Sequence, residues 1–158
     1  MINLNKVSFL IYFFLCLLNS KLILASVEEI VVLGDWKEIS SDKKDASIIL
    51  LGSKEIDDQA VNHFEELSYL VPNLNFAASD SRARYFQIRG IGERSGYQGT
   101  PNSSVGFLID DIDYSGQGGI ATTFDVDQVE VHRGPQGSRI GANALAGLIY
   151  IKTKDPTE

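Results

Sequence analysis

The most constraining feature of the sequence is a glycine-rich stretch between two β-branched runs near the C-terminal end. Residues 128–132 and 148–153 have the composition and length of strands. Glycine lets the backbone adopt a positive φ or approach another surface closely, so the intervening residues are predicted to have a structural role in turns. The turn residues assigned here are Gly134, Pro135, Gly137, Gly141 and Gly147, together with Gly90 upstream.

Other segments alternate between strand and helix signals. Residues 48–51 form an apolar run ended by Gly52, and further strand-like runs cover residues 85–89 and Val105–Ile109. A helix is predicted from Asn62, because Asn62 and Glu65 match a capping box and Pro72 ends the pattern. Its apolar face comprises Phe64, Leu67, Leu70 and Val71. The order of elements predicts a small α+β domain over residues 46–156.

The N-terminal region reads as an export signal followed by a tethered strand. Lys6, an apolar run at residues 7–18 and the small residue Ala25 are typical of a signal peptide over residues 1–25. A membrane anchor is the alternative, but the run is shorter than the roughly 20 residues of a helical span. Residues 27–34 read as a strand, and the highly charged residues 35–45 as a solvated linker. Residues 26–45 are therefore predicted to be a flexible arm.

Composition excludes several classes of function. The formal net charge of −7 does not suit nucleic-acid binding. The single cysteine, Cys16, lies in the signal region, so no disulfide or cysteine-ligated metal site is expected. His63 and His132 have no partners at catalytic or metal-ligand spacing, and no serine lies in a nucleophile elbow. We therefore expect no enzyme activity, no catalytic residue, no cofactor and no bound metal.

An acidic cluster and two long loops are candidates for a metal site and for ligand contacts. Asp110, Asp111 and Asp113 lack the glycine and distal glutamate of a calcium loop, so a turn between two strands is predicted. Residues 90–104 and 114–123 form long loops, which are often functional. Candidate ligand contacts in them are Arg94, Tyr97, Gln98, Tyr114 and Gln117. The alternative is that both are mobile solvated loops.

Two long motifs carry a family resemblance. Residues 125–137 contain a valine-glutamate strand that runs into Arg133, Gly134, Pro135, Gln136 and Gly137, and residues 141–156 continue without a gap to a Thr-x-x-Pro ending. Both resemble the plug domains of TonB-dependent outer-membrane receptors. Shorter matches lie at residues 72–74, 86–92 and 105–110, so the resemblance covers about residues 27–156.

The resemblance implies a small mixed β-sheet with flanking helices and long apical loops, lodged in an outer-membrane barrel of about 22 strands. It also implies a receptor that imports a scarce nutrient such as a ferric siderophore, with the periplasmic domain of TonB as partner. The segment similar to the TonB box comprises Glu28, Glu29, Ile30, Val31 and Val32, although Leu33 stands where threonine is common. Such a segment binds by adding a strand to its partner. The alternative is a strand buried in the domain's own sheet.

Two arginines match positions at which the family's plugs bind acids of the barrel wall. Arg89 and Arg133 each precede a glycine at the end of a predicted strand. A guanidinium group suits bidentate contacts with a carboxylate, so the resemblance implies that both lock the plug to the barrel. The alternative is that they are ordinary surface arginines.

The length of the chain limits the kinds of receptor to which it can belong. A barrel of about 22 strands needs more than about 200 residues, and only Thr157 and Glu158 follow the plug-like region. We expect a truncated or fragmentary receptor, a plug supplied to a separate barrel, or a free periplasmic module that binds a ligand or TonB without transport. The protein is thus expected in the outer membrane if joined to a barrel, and otherwise in the periplasm.

Overall fold

The structure is a computed structural model that describes residues 31–32, 39–40, 47–78, 82–95 and 102–156. Its strands are β1 (Val31–Val32), β2 (Ile39–Ser40), β3 (Ile48–Gly52), β4 (Leu74–Ala78), β5 (Ala83–Ile88), β6 (Val105–Ile109), β7 (Ile112–Asp113), β8 (Val126–His132) and β9 (Gly147–Thr153). Its helices are α1 (Ser53–Gln59), α2 (Phe64–Leu67) and α3 (Gly137–Ile140), with 3-10 turns at Ser68–Leu70 and Gly118–Ile120. The prediction of a small α+β fold is confirmed.

Five strands form a mixed sheet in the order β3-β8-β9-β6-β7. β8 pairs antiparallel with both β3 and β9, whereas β6 and β9 run parallel. β4 and β5 form a separate two-stranded antiparallel sheet, as do β1 and β2. All four strands predicted in the second half of the chain are present. Sequence reasoning missed β4 and the short β7, which are paired by tertiary contacts.

Alternation along the central strands gives the main sheet two different faces. One face carries Val129, Val131, Ile149 and Ile151, which belong to the main hydrophobic core. The opposite face carries a smaller apolar cluster of Leu108, Ala144, Leu148 and Tyr150. It also carries a row of polar side chains from β8, described below. The sheet is therefore covered on both sides, which explains the nearly continuous burial of β8 and β9.

Three phenylalanines join the main sheet, the β4–β5 sheet and α2. The ring centroids of Phe64, Phe86 and Phe107 lie 5.2–5.4 Å apart in pairs, with two edge-to-face contacts and one stacked contact. A Cβ on Gly118 would lie 2.3 Å from Cε2 of Phe86, so only glycine allows the 3-10 turn to approach the rings. This cluster fixes the loop that contains Gly118 against the core.

The helical prediction is partly wrong. The helical segment begins at Phe64, with His63 as its N-cap, and the carboxylate that reaches back to the Asn62 N–H belongs to Glu66 rather than Glu65. Phe64, Leu67 and Val71 are buried as predicted, but Leu70 is 39 % exposed. The helix α1 was not predicted, because Ile56 is its only buried residue and it lacks an apolar face. Its first turn is capped by Glu55, which accepts the Gly52 N–H.

The acidic cluster forms a hairpin turn between β6 and β7, as predicted. Asp110 and Asp111 have φ values of 46° and 69°, which suits the left-handed pair of residues in a tight hairpin turn. Both oxygens of the Asp110 carboxylate accept hydrogen bonds from Thr153, one from its N–H and one from its hydroxyl. The turn is thereby fastened to the end of β9.

Only part of the N-terminal arm is described. β1 lies within the predicted strand, and β2 lies within the stretch predicted to be a linker; they pair with each other, Val31 opposite Ser40. Residues 1–25, Glu28, Glu29 and Ile30 lie outside the described residues. Within the part of the chain that the structure covers, no helix has the length and apolar character needed to cross a membrane.

Candidate functional site

Several strand ends and loops converge at one end of the main sheet. β6 and β9 are parallel and begin at this end, and β8 ends there. A Cβ on Gly147 would lie 2.3 Å from the carbonyl oxygen of His132 and 2.6 Å from Cδ1 of Ile88. The last residues of β5 and β8 therefore both pack closely against the first residue of β9. We call this region the loop end of the sheet.

The two candidate locking arginines follow these converging residues. Arg89 is exposed, has a φ of 54°, and donates its backbone N–H to the carbonyl oxygen of Asn73 at 2.9 Å. Gly90 follows with a φ of 80°. Non-glycine residues adopt this backbone region rarely, so the turn presents Arg89 at some conformational cost. Because Ile88 and His132 both contact Gly147, Arg89 and Arg133 lie at the same end of the fold.

Arg133 differs from Arg89 in its burial. Its backbone N–H donates to the Ser47 carbonyl oxygen at 2.9 Å, and its side chain is half-buried. Its Nε is fully shielded from solvent but has no hydrogen-bond partner among the described residues. A buried donor of this kind costs free energy unless another group accepts its proton. Within the part of the chain that the structure describes, Nε of Arg133 is therefore short of one acceptor.

The turn after Arg133 returns the chain to β9. The helix α3 is a single turn, and Gly141 ends it with a φ of 80°. The backbone N–H of Gln136 donates to the Ala144 carbonyl oxygen at 2.9 Å, which closes the turn on itself. A side chain at Gly137 would meet no atom within 4 Å, so this glycine is not required by packing.

The first candidate ligand loop is fastened at its base. Glu93 is 8 % exposed, and its carboxylate accepts hydrogen bonds from both the N–H and the hydroxyl of Ser104. Arg94, immediately after it, is exposed. Tyr97 and Gln98 lie outside the described residues. Of the candidate contacts in this loop, only Arg94 has a described position.

The two candidate residues of the second loop differ in their exposure. Gln117 is exposed, whereas Tyr114 is half-buried and packs against the main core. Tyr114 also lines a groove with Asp110 and Thr153, at the end of β9 rather than at its start. The structure therefore does not bring Tyr114 together with Arg94, which adjoins the start of β6 through Glu93 and Ser104.

A hydrogen-bonded bridge connects the loops to each other. Oδ1 of Asn143 accepts the Ser103 N–H at 3.1 Å, and Nδ2 of Asn143 donates to the carboxylate of Asp113 at 3.0 Å. The other Asp113 oxygen accepts the Ser115 N–H at 2.8 Å. The bridge thus ties the base of the first loop and the start of the second to the turn that precedes β9.

A row of polar side chains from β8 lies on the face of the sheet opposite the main hydrophobic core. Gln128 donates to Oε1 of Glu130 at 2.8 Å, and Nε2 of His132 lies 2.7 Å from Oε2 of Glu130. Glu130 and His132 are 0 % and 1 % exposed. Within the described ranges, no three His, Cys, Asp or Glu side chains form a group that could hold a metal.

The groove noted above was not predicted. It has a volume of about 270 Å³ and opens between the β6–β7 hairpin and the segment before β8. Three of its lining residues, Ile112, Ile120 and Phe124, are 54–87 % exposed. The bridging roles of Glu93 and Asn143 were also missed, because single polar residues in loops carry no pattern that a sequence can show.

Comparison with known proteins decides the family. The family described as TonB-dependent Receptor Plug Domain matches residues 41–148. The chain belongs to this family. Among curated relatives, the plug is 29 % identical over 118 residues to the pesticin receptor of Yersinia pestis, covering 74 % of this chain and 17 % of that receptor. It is 26 % identical over 148 residues to the ferric enterobactin receptor PirA of Pseudomonas aeruginosa, covering 83 % and 20 %.

Solved structures agree on the fold. The ferric yersiniabactin uptake receptor FyuA of Yersinia pestis superimposes with a TM-score of 0.58 at 26 % identity, covering 73 % of the plug and 18 % of that chain. The outer-membrane ferripyoverdine receptor of Pseudomonas aeruginosa gives a TM-score of 0.63 at 20 % identity, covering 82 % and 17 %. The plug spans about a fifth of the length of the curated relatives it matches.

Proposed function

We propose that the plug is the gate and ligand-contact domain of a TonB-dependent outer-membrane receptor that imports a scarce nutrient, with a ferric siderophore as the ligand class. The observation that carries the proposal is the family match over residues 41–148 combined with the buried, unpartnered Nε of Arg133 in the turn that the family shares. The named relatives are receptors, which supports a transport role rather than catalysis.

The names of related receptors and the exposed arginines of this chain both support the proposed ligand class. PirA is named as a ferric enterobactin receptor and FyuA as a ferric yersiniabactin uptake receptor. The protein has a formal net charge of −7, yet Arg84, Arg89 and Arg94 are exposed on β5 and on the chain that leaves it. Exposed cations on an acidic protein favour an anionic ligand such as a metal chelate. Tyr97, Gln98 and Gln117 complete the proposed contact set.

The barrel-locking role of Arg89 and Arg133 is the second element of the proposal. The Arg133 guanidinium is half-buried, and none of the described residues accepts a hydrogen bond from its Nε. An acid from a surrounding barrel wall would supply that acceptor in a bidentate pair. Arg89 is exposed at the same end of the fold and can pair in the same way. Both arginines would then hold the plug until the coupling energy releases it.

The third element is coupling to TonB through Glu28, Glu29, Ile30, Val31 and Val32. Val31 and Val32 already form backbone pairs with Ser40 and Ile39, which supports their ability to join an edge strand. Strand addition draws its affinity from main-chain hydrogen bonds and tolerates variation such as Leu33. We place the protein in the outer membrane when it is assembled with a barrel.

One experiment tests the lock. The full chain is expressed with a FyuA barrel from which its own plug has been deleted, and the amount retained in washed outer membranes is measured. We expect retention to fall at least about fivefold for Arg133→Ala and much less for Arg133→Lys. The matched control is Lys154→Ala, which removes an exposed cation elsewhere. Equal retention of all three variants would remove the locking role.

A second experiment tests the coupling arm and does not need a barrel. Binding of the full chain to a purified periplasmic TonB domain is measured, with Val31→Pro as the disruptive variant and Val31→Thr as the control. Proline removes a backbone donor, whereas threonine keeps the backbone and the β-branched shape. We expect loss of binding for proline only. Equal binding of both variants would contradict docking of TonB on this segment by strand addition.

A further inference from the structure

The groove between the β6–β7 hairpin and the chain before β8 has apolar walls that are open to solvent. Ile112 contributes from the hairpin, and Ile120 and Phe124 from the opposite side; each of these side chains is more than half exposed. The buried core residues Val126 and Ile151 also line the groove. Single exposed apolar side chains are common on protein surfaces, but three that share one groove form a patch of the kind that marks an interaction site.

Backbone hydrogen bonds hold both walls of the groove in place. Before β8, the Thr123 N–H donates to the Asn62 carbonyl oxygen at 3.1 Å, and the Lys154 N–H donates to the Asp125 carbonyl oxygen at 2.9 Å. On the other side, β7 pairs antiparallel with β6. The groove is therefore formed before any partner arrives, so binding requires little ordering of this chain.

Acidic side chains border the apolar walls. The Asp110 carboxylate lines the groove, and the exposed Asp125 lies between two of the lining residues. Of the neighbouring lysines, Lys152 is paired with Asp155 at 3.3 Å, and Lys154 is exposed. The chain as a whole is also acidic, with a formal net charge of −7. The potential around the groove therefore favours a cationic partner.

We propose that this groove docks a short segment of a partner protein in which an aliphatic or aromatic side chain lies next to a lysine or arginine. The apolar side chain packs between Ile112 and Phe124, and the cation faces the carboxylates of Asp110 and Asp125. The volume of about 270 Å³ is smaller than the range of about 300–1,000 Å³ for sites that enclose a small molecule. It suits single side chains that a peptide presents.

The position of the groove separates it from the sites assigned above. It lies where β6 and β9 end and β8 begins, at the opposite end of the main sheet from the loop end. The inner wall of an outer-membrane barrel is polar and does not complement an apolar groove. The inference therefore goes beyond the proposed function and does not depend on it.

Peptide binding to the full chain tests the groove. The probe is a fluorescein-labelled hexapeptide of alternating leucine and lysine, and fluorescence anisotropy gives its Kd. We expect Phe124→Ser and Ile112→Ser each to raise the Kd at least about tenfold, because each removes apolar surface that binding buries. Both side chains are exposed in the free chain, so serine should leave the fold intact. The matched control is Leu145→Ser, at an exposed apolar residue before β9, which should leave the Kd unchanged.

The charge requirement is tested separately. A peptide with glutamate in place of lysine should not bind. Asp125→Asn should raise the Kd of the lysine peptide about two- to fivefold, and asparagine tolerates the φ of 62° at this position. Asp58→Asn, which removes an exposed acid from α1, should have no effect. Equal binding of the two peptides, or equal Kd values for Phe124→Ser and Leu145→Ser, overturns the proposal.

Sedimentation velocity of the full chain distinguishes the other possible occupant. We expect a monomer at the concentrations at which the lysine peptide binds. A dimer that Phe124→Ser dissociates and Leu145→Ser does not would place a second copy of this chain in the groove, and would overturn docking of a cationic partner segment.

Discussion

Nε2 of His132 lies 2.7 Å from Oε2 of Glu130, and the two side chains are 1 % and 0 % exposed. They are two residues apart on β8, so they point to the same face of the sheet. Their cross-strand neighbours on β3 are Ile48 and Leu50. A hydrogen-bonded pair of polar side chains thus lies between apolar neighbours in the sheet.

Replacing Glu130 by alanine should destabilise the plug by about 3 kcal/mol, because it leaves His132 buried without its acceptor. Urea denaturation of the full chain followed by circular dichroism measures the change. Asp127→Ala is the matched control, since it removes an exposed acid from the same strand and should change stability by less than about 0.5 kcal/mol. A similarly small effect at Glu130 would contradict the structural importance of the pair.

Gly147→Ala should destabilise the fold by about 2 kcal/mol or more, because the added Cβ would lie 2.3 Å from the His132 carbonyl oxygen. Backbone cannot move aside as a flexible side chain can. Gly137→Ala adds the same atom at the start of α3, where nothing lies within 4 Å, and should be neutral or slightly stabilising. Thermal melts of the two variants, compared with the wild type, distinguish them directly.

Burial, reinforced by the nearby Asp111 carboxylate, raises the pKa of Tyr150 to about 12. In the unfolded chain the same phenol loses its proton near pH 10, so unfolding releases a proton between these values. Stability should therefore fall as the pH rises from about 10 towards 12. Tyr150→Phe should remove that part of the decline, whereas Tyr69→Phe, at a position 83 % exposed, should retain it. Urea midpoints at about pH 9 and 11 test this.

Burial alone would raise the pKa of Asp110, but the two hydrogen bonds from Thr153 and the charge of Lys152 together outweigh it, and the pKa is lowered. The ionised form therefore stabilises the fold above about pH 4, and this contribution is lost as the pH falls through the folded pKa. Thr153→Val, which removes one bond, should cost about 1 kcal/mol at neutral pH. The cost should shrink in acid. Thr122→Val, an exposed control, should show no such pH dependence.

Sequence reasoning identified the elements that carry a local signal. The β-branched run before Arg133 and the run after Gly147 are strands in the structure, and Asp110 and Asp111 form the predicted turn. These features are local, since strand composition and turn residues act within a few positions. The helix α1 was missed because it buries one residue and is held by its contact with the sheet rather than by an apolar face.

The candidate site was less accessible to sequence reasoning. The resemblance placed Arg89 and Arg133 correctly at strand ends, but only the contacts of Gly147 with Ile88 and His132 put both arginines at one end of the fold. Conversely, Tyr114 was grouped with Arg94 by composition, whereas its side chain lines a groove near Thr153. Which residues meet depends on pairing over long sequence separations, and composition does not record pairing.

The sequence by itself determined the family, the strand and turn content around the RGPQG motif, and the acidic character of the chain. These follow from residue types acting locally and from a motif too long to arise without common descent. Tertiary structure alone decided that Glu130 and His132 are buried together, that Nε of Arg133 has no acceptor among the described residues, and that the Glu93 carboxylate accepts hydrogen bonds from Ser104. The physical reason is that burial and hydrogen bonding depend on the neighbours a fold supplies, and β-sheet register brings those neighbours from distant parts of the chain.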